Sequence, residues 1–203
     1  MLEVLHALRV KGLAEADDVA TATGLSVDEV SDALDAARTE GLAQHREGRV
    51  SGWGLTAAGR AREAELVAEE LAGVDRECVD ACYRRFLPLN KEVLAACTDW
   101  QIKEVGGTHV LNDHADDAYD DAVRERLYAA HETAEPLLAD LAGTLGRFGP
   151  YRPRLANAVA RVRAGDHDWL AQPRIDSFHT VWFELHEDLL STLGLERSKE
   201  EPT

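Results

Sequence analysis

The stretch Leu42–Arg60, LAQHREGRVSGWGLTAAGR, decides how the first third of the chain folds. It predicts a short strand, a tight turn at Glu47-Gly48-Arg49, a second short strand and a helix that begins at Thr56. An isolated hairpin is marginal in water, so this one must pack on neighbouring elements. The residues before it carry three short helical patterns, and the expected order is therefore helix, helix, helix, hairpin, helix.

The third of these helices has the clearest start signal. Ser26 and Glu29 have the spacing of a capping box, and Gly41 suits the end of the helix. Apolar residues recur at intervals of three and four along one side, which predicts a buried face. The opposite, outward side presents Asp28, Ser31, Asp32 and Asp35.

The segment Trp53-Gly54-Leu55-Thr56-Ala57-Ala58-Gly59-Arg60 resembles the strand-to-helix junction of MarR-like and PadR-like winged-helix regulators. The resemblance covers residues 2 to about 70. It implies a transcriptional regulator that binds DNA as a homodimer, with contacts from the third helix and the hairpin, or wing. Carried onto this sequence, the DNA-binding residues would be Ser26, Asp28, Ser31, Asp32, Arg38, His45, Arg46 and Arg49.

The charge of the chain does not suit a DNA-binding protein. It has 22 Lys and Arg against 38 Asp and Glu, a formal net charge of −16. Neutralising phosphates supplies much of the affinity for DNA, and the acidic third helix departs from the family's pattern. Two interpretations stay open. The acidic face is a solvated surface on a helix that packs only for the fold, or it contacts a protein, and base reading by this helix is not favoured. The wing arginines suit a minor groove, or they are the charges that an exposed turn commonly carries.

Beyond the hairpin, the patterns predict a mainly α fold. One long helix is expected from Thr56 past Phe86, with a domain boundary near Gly73. A winged-helix domain would occupy residues 1–73, an all-helical sensor or dimerisation domain residues 74–195, and a disordered tail residues 196–203. Within the second domain the prediction is a helix from Asn90 through Lys103, a break at Gly106-Gly107, a polar loop over 108–117, and a last helix over 175–193.

Histidines and tryptophans in the second domain suggest a polar ligand pocket. The candidate lining residues are Trp100, His109, Asn112, His114, His179, Trp182 and His186. A metal site built from imidazoles and carboxylates is an alternative, but no clustered ligand motif such as H-E-x-x-H is present. Histidines that serve as hydrogen-bonded core residues are the simpler interpretation, so no metal and no cofactor is predicted.

Several functional classes are not predicted. The sequence has no nucleophile elbow, no P-loop and no dinucleotide-binding glycine motif, which indicates a non-enzymatic protein. Cys78, Cys82 and Cys97 do not have the spacing of a disulfide framework or a zinc finger. The apolar N-terminus is short and interrupted by charges, so neither a signal peptide nor a membrane span is expected and the cytoplasm is the predicted location.

A second, looser resemblance spans both domains. Val19–Leu25, Trp53–Arg60 and His179–Leu190 are similar to a region associated with some actinobacterial proteins of the phosphoenolpyruvate-utilising dikinase group. This resemblance implies a regulatory or protein-interaction module that does not bind DNA and has no catalysis of its own. The effector in either interpretation would be a small molecule or a protein partner.

Overall fold

The computed structural model describes residues 1–195 as two helical units, each with one β-hairpin. The predicted tail over 196–203 lies outside the described residues. In the N-terminal unit, residues 1–73, the elements are α1 (Leu2–Lys11), α2 (Ala16–Thr23), α3 (Val27–Thr39), β1 (Ala43–Arg46), β2 (Gly52–Leu55) and α4 (Ala57–Ala72). The expected order of helix, helix, helix, hairpin, helix is confirmed.

The helical unit, residues 74–195, surrounds a larger core. Its elements are α5 (Arg76–Gln101), β3 (Ile102–Val105), β4 (Thr108–Leu111), α6 (Asp117–Thr144), a short 3-10 helix (Gly146–Phe148), α7 (Tyr151–Arg163), α8 (Asp168–Ala171) and α9 (Phe178–Leu193). Apolar residues of α5, α6, α7 and α9 form this core, and those of α1, α2, α3 and the first hairpin form the other. The mainly α fold class is therefore confirmed, while the domain boundary at residue 73 stays a prediction.

Local signals explain the elements of the N-terminal unit. The predicted capping box starts α3: the Glu29 N–H donates to Ser26 Oγ at 3.3 Å, and the Ser26 N–H donates to Glu29 Oε2 at 2.9 Å. Thr56 caps α4 by accepting a hydrogen bond from the Gly59 N–H at 3.0 Å. The hairpin packs against the loop after α1. Ala14 of this loop and Trp53 of β2 exchange backbone hydrogen bonds of 3.0 and 2.8 Å.

The predicted long helix from Thr56 past Phe86 is wrong. It breaks into α4 and α5 after Gly73, because Asp75 supplies a new N-cap: its carboxylate accepts from the Glu77 N–H at 3.0 Å. The helix predicted to start at Asn90 instead begins at Arg76 and continues through Pro88. A proline inside a helix removes one N–H donor and its ring clashes with the carbonyl four residues earlier, and packing of α5 against α6 and α9 offsets that cost.

The expectation that the second domain is all-helical is also wrong. The region predicted as the end of a helix and a polar loop forms the β3–β4 hairpin. Gly106 and Gly107 connect its strands with φ of +59° and +80°, the conformation of a two-residue type I′ turn. The glycine pair is therefore a hairpin turn and not a plain break between helices.

Gly59 allows the closest backbone approach in the N-terminal unit. A Cβ at this position would lie 1.9 Å from the Leu42 carbonyl oxygen. Because both groups are backbone or fixed to it, relief would require α4 to move away from the start of β1. The close contact between Gly59 and Leu42 is thus one steric reason why the stretch Leu42–Arg60 determines how this unit folds.

We expect Gly59→Ala to lower the free energy of unfolding by about 3 kcal/mol or more, since it overpacks a site that cannot relax. Gly143→Ala is the matched control, because a Cβ there meets nothing within 4 Å and alanine favours helix over glycine. Urea unfolding followed by circular dichroism measures both. Equal stability of the two variants would contradict the argument.

Candidate functional site

Buried charged groups join the two units. His6 of α1 lies between two carboxylates: its Nδ1 is 2.7 Å from Glu63 Oε1 and its Nε2 is 2.9 Å from Asp188 Oδ1. No side chain of these three is more than 5% exposed. Each ring nitrogen faces a carboxylate oxygen, and this arrangement favours the protonated imidazole, in which both nitrogens donate.

Arg147 completes this cluster. Its Nε donates to Glu70 Oε2 at 2.7 Å, and its Nη1 pairs with Asp188. Tyr151 donates its hydroxyl to the other oxygen of Asp188 at 2.9 Å. We call His6, Glu63, Glu70, Arg147 and Asp188 the His6 cluster; it has members in α1, α4, the 3-10 helix and α9.

The electrostatics of the His6 cluster follow from its composition. Burial by itself lowers the pKa of His6, but Asp188 and Glu63 outweigh it, and the net direction is upward from 6.5. Arg147, with its Nη1 3.0 Å from Nε2, opposes that rise without reversing it. Burial opposes ionisation of Asp188, yet His6 and Arg147 hold its pKa far below the ordinary value of 3.8.

A second chain of ion pairs crosses the same interface. Lys11 Nζ lies 2.7 Å from Glu184 Oε1, and the other oxygen of Glu184 lies 2.6 Å from Arg154 Nη2. Arg154 then forms a bidentate pair with Asp176, at 2.7 and 2.9 Å. We call these four residues the Arg154 chain. Its two cations and two carboxylates neutralise one another, and it fixes the end of α1 against the start of α9.

A cleft of about 540 Å³ opens beside the Arg154 chain, between the two units. Its walls come from the end of α1, the loop after it and α2, from the turn of the first hairpin, and from the loop before α9 and the first turns of α9 itself. Among the lining residues are Leu13, Asp18, Val50, Ser51, Arg174, His179 and Phe183. This volume lies within the range of small-molecule pockets, which commonly form between structural units.

The seven predicted pocket residues do not form one pocket. His109 is exposed on β4, and His179 lines the cleft between the units. Trp182 and His186 are buried in the helical core, where Trp182 donates its Nε1–H to Asn90 Oδ1 at 3.1 Å. Burial in the core is the simpler interpretation that the sequence allowed for the histidines of this domain. The remaining three, Trp100, Asn112 and His114, lie together at the second hairpin.

This group of three is held by Asp120. Asn112 Nδ2 lies 2.8 Å from Asp120 Oδ1, and His114 Nδ1 lies 2.9 Å from Asp120 Oδ2. The His114 ring packs on Trp100 with a centroid separation of 4.4 Å. Asn112 also donates to the Trp100 carbonyl at 3.1 Å, so the group ties the hairpin to the end of α5.

The predicted DNA-contact residues fall on two exposed surfaces. Asp28, Ser31 and Asp32 lie on the outward side of α3, while Ser26 is engaged in its capping box. Arg38 pairs with Asp35 at 2.9 Å, and its guanidinium lies 5.8 Å from the Trp53 ring centre.

On the first hairpin, His45 lies 3.2 Å from Glu15. Arg46 and Arg49 are exposed there, and within residues 1–195 neither has a carboxylate within 4.0 Å. The structure thus offers one acidic surface on α3 and one basic surface at the hairpin turn.

Neither the His6 cluster nor the Arg154 chain is predicted from the sequence. A signal was present: Asp188 interrupts the most apolar helical pattern, and His6 interrupts the apolar run at the N-terminus. A charged residue on a buried face requires a partner. Which partner it has depends on the packing of the two units, which no local pattern reveals.

No protein-family model, curated protein or solved structure matches the chain. Among residues 1–195, every helix is either too short or too polar to cross a bilayer. The same residues contain no group of three or more His, Cys, Asp or Glu that could hold a metal ion.

We expect Arg147→Met to lower the free energy of unfolding by about 3–5 kcal/mol, because it leaves buried carboxylates without their counter-ion. Arg152→Met is the matched control: Arg152 is exposed, and its pair with Glu135 contributes about 1 kcal/mol at most. Denaturant unfolding distinguishes them. Equal effects of the two substitutions would show that the cluster does not hold the units together.

The raised pKa of His6 predicts a pH dependence. A histidine whose folded pKa lies above 6.5 stabilises fully below that pH and loses its contribution as pH rises through the folded value. The stability difference between wild type and His6→Gln should therefore shrink in alkaline solution. His109→Gln, at an exposed position, serves as control. A difference that does not change with pH would contradict the protonated state of His6.

Proposed function

We propose that this protein is a winged-helix transcriptional regulator whose effector binds in the cleft between the units. The observation that carries the proposal is the position of the cleft: Val50 and Ser51 of the first hairpin form one wall, and α9 of the helical unit forms another. A ligand there would contact the hairpin next to Arg49. Its binding energy could therefore change the position of the groups proposed to contact DNA.

The proposed DNA contact is made chiefly by the hairpin. Exposed arginines at a hairpin turn suit phosphates or a minor groove. The outward side of α3 presents Asp28, Asp32 and Asp35, which repel phosphates. We therefore expect a DNA affinity that is modest and strongly dependent on salt, with a dimer needed to bring two hairpins to one site.

The test is the binding of the purified protein to fragmented genomic DNA of its host at low and at moderate salt. A discrete, palindromic, enriched site supports the regulator. The double variant Arg46→Gln/Arg49→Gln should lower the slope of log affinity against log salt by about 2, because about 0.9 counterions are released per phosphate contact. Asp32→Asn should strengthen binding by removing a repulsive charge.

The control is Arg84→Gln/Arg163→Gln, which makes the same change of charge at exposed positions of the helical unit. An equal loss with both double variants would indicate nonspecific attraction. No enrichment of any sequence, even at low salt, would refute DNA binding.

The acidic side of α3 favours a second candidate, a regulatory module that binds a basic protein surface and acts in phosphoenolpyruvate or pyruvate metabolism, as the looser resemblance implies. Here the triple variant Asp28→Asn/Asp32→Asn/Asp35→Asn should lose a partner that the wild type retains from host lysate. The hairpin double variant should keep that partner. Retention of the partner by the triple variant would refute a protein contact at the acidic side of α3.

A further inference from the structure

The charges that line the cleft fall into two sets. Lys11, Asp176 and Glu184 belong to the Arg154 chain, where each is already matched by an opposite charge. Asp18 and Arg174 also line the cleft, and within residues 1–195 neither has an oppositely charged side chain within 4.0 Å. One uncompensated anion and one uncompensated cation therefore face the same space.

These two charges come from different units. Asp18 lies on α2 of the N-terminal unit, and Arg174 lies in the loop before α9 of the helical unit. The Oδ2 of Asp18 accepts a hydrogen bond of 3.3 Å from the Glu15 N–H, which leaves its other oxygen for a ligand. A molecule that engages both charges would contact both units at once.

The backbone at Arg174 supports a ligand role. Its φ is +70°, in the left-handed region that L side chains other than glycine rarely adopt. Such a conformation is unfavourable and persists where the surroundings enforce it, and strained residues of this kind cluster at ligand sites. A glycine would suit the turn better, so the presence of arginine favours a use for its guanidinium.

The remaining walls of the cleft are largely apolar. Val10, Leu13, Ala14, Val50, Pro173, Ile175 and Phe183 contribute to them. His179 is the one titratable ring among the described lining residues, and burial lowers its pKa below 6.5. It is therefore uncharged near neutral pH and does not alter the balance of one free anion and one free cation.

We infer that the cleft binds an apolar zwitterion, the chemistry of an amino acid or short peptide, with its carboxylate on Arg174 and its ammonium on Asp18. This inference rests on the proposed function, because it names the effector class of the same cleft. The guanidinium matches a carboxylate in planar, bidentate geometry, and the apolar body of the ligand covers the apolar walls. Binding of this kind stabilises the contact between the units.

The experiment is isothermal titration of the full chain with L-leucine, Leu-Leu and Leu-Leu-Leu, which separates an amino acid from a peptide as the source. Each free form is compared with its N-acetylated and its amidated form, which lack one charge each. For the form that binds, either block should weaken affinity about tenfold or more, since each removes a charge-assisted hydrogen bond.

Two variants assign the charges to their residues. In Arg174→Gln the free acid and the amide should bind equally, and in Asp18→Asn the free and acetylated amines should bind equally. Asp17→Asn and Arg84→Gln are matched controls of the same charge change outside the cleft lining, and both should bind as the wild type does. Thermal unfolding of each variant establishes that it is folded.

The inference is overturned if no free form binds, or if the blocked forms bind as tightly as the free ones. Equal weakening by Asp17→Asn and Asp18→Asn would also overturn it. The titration contains no DNA, so a failure here leaves the DNA-binding test unaffected. Ligand binding without any DNA enrichment would instead refute the proposal of a DNA-binding regulator and support the ligand site in the cleft.

Discussion

The arrangement of the two units depends on the buried pair of Arg147 and Asp188 in the helical unit, because Arg147 binds Glu70 and Asp188 binds His6 of the N-terminal unit. Both side chains are almost fully buried, and the cations and carboxylates around them require one another. Replacing a whole buried ion network by apolar residues is often neutral or stabilising, whereas removing one partner is not. All five members of the His6 cluster are paired in the observed position of α1, α4 and α9, which is also the position that forms the cleft.

The N-terminal unit could be predicted in detail because its signals are local. Ser26 with Glu29, Thr56 with Gly59, and the turn between the strands each act within a few residues. The caps and glycines set where each helix or strand begins and ends, so the segments between them have few alternative secondary structures. The element order of this unit and the mainly α class of the whole followed from those signals.

The errors all concern residues whose state depends on distant partners or on competing local signals. Asn90 has the chemistry of a helix cap, but its side chain bonds to Trp182 inside the core. The strands flanking Gly106-Gly107 are four residues each, too short for their alternation to outweigh an adjoining helical pattern. The cleft combines residues from both ends of the described chain, so no segment of sequence contains it. The ligand pocket predicted from the sequence therefore combined residues that the fold separates.

The His6 cluster also has a consequence for the order of events during synthesis. His6, Glu63 and Glu70 leave the ribosome early, yet Asp188 emerges only after nearly the whole described chain has been made. Until then His6 can pair with Glu63 inside the N-terminal unit, but it lacks Asp188, and Glu70 lacks Arg147 until the 3-10 helix follows. The complete His6 cluster, and with it the buried interface, therefore forms only after α9 has been translated. A truncated product would keep that interface open to water and to other chains.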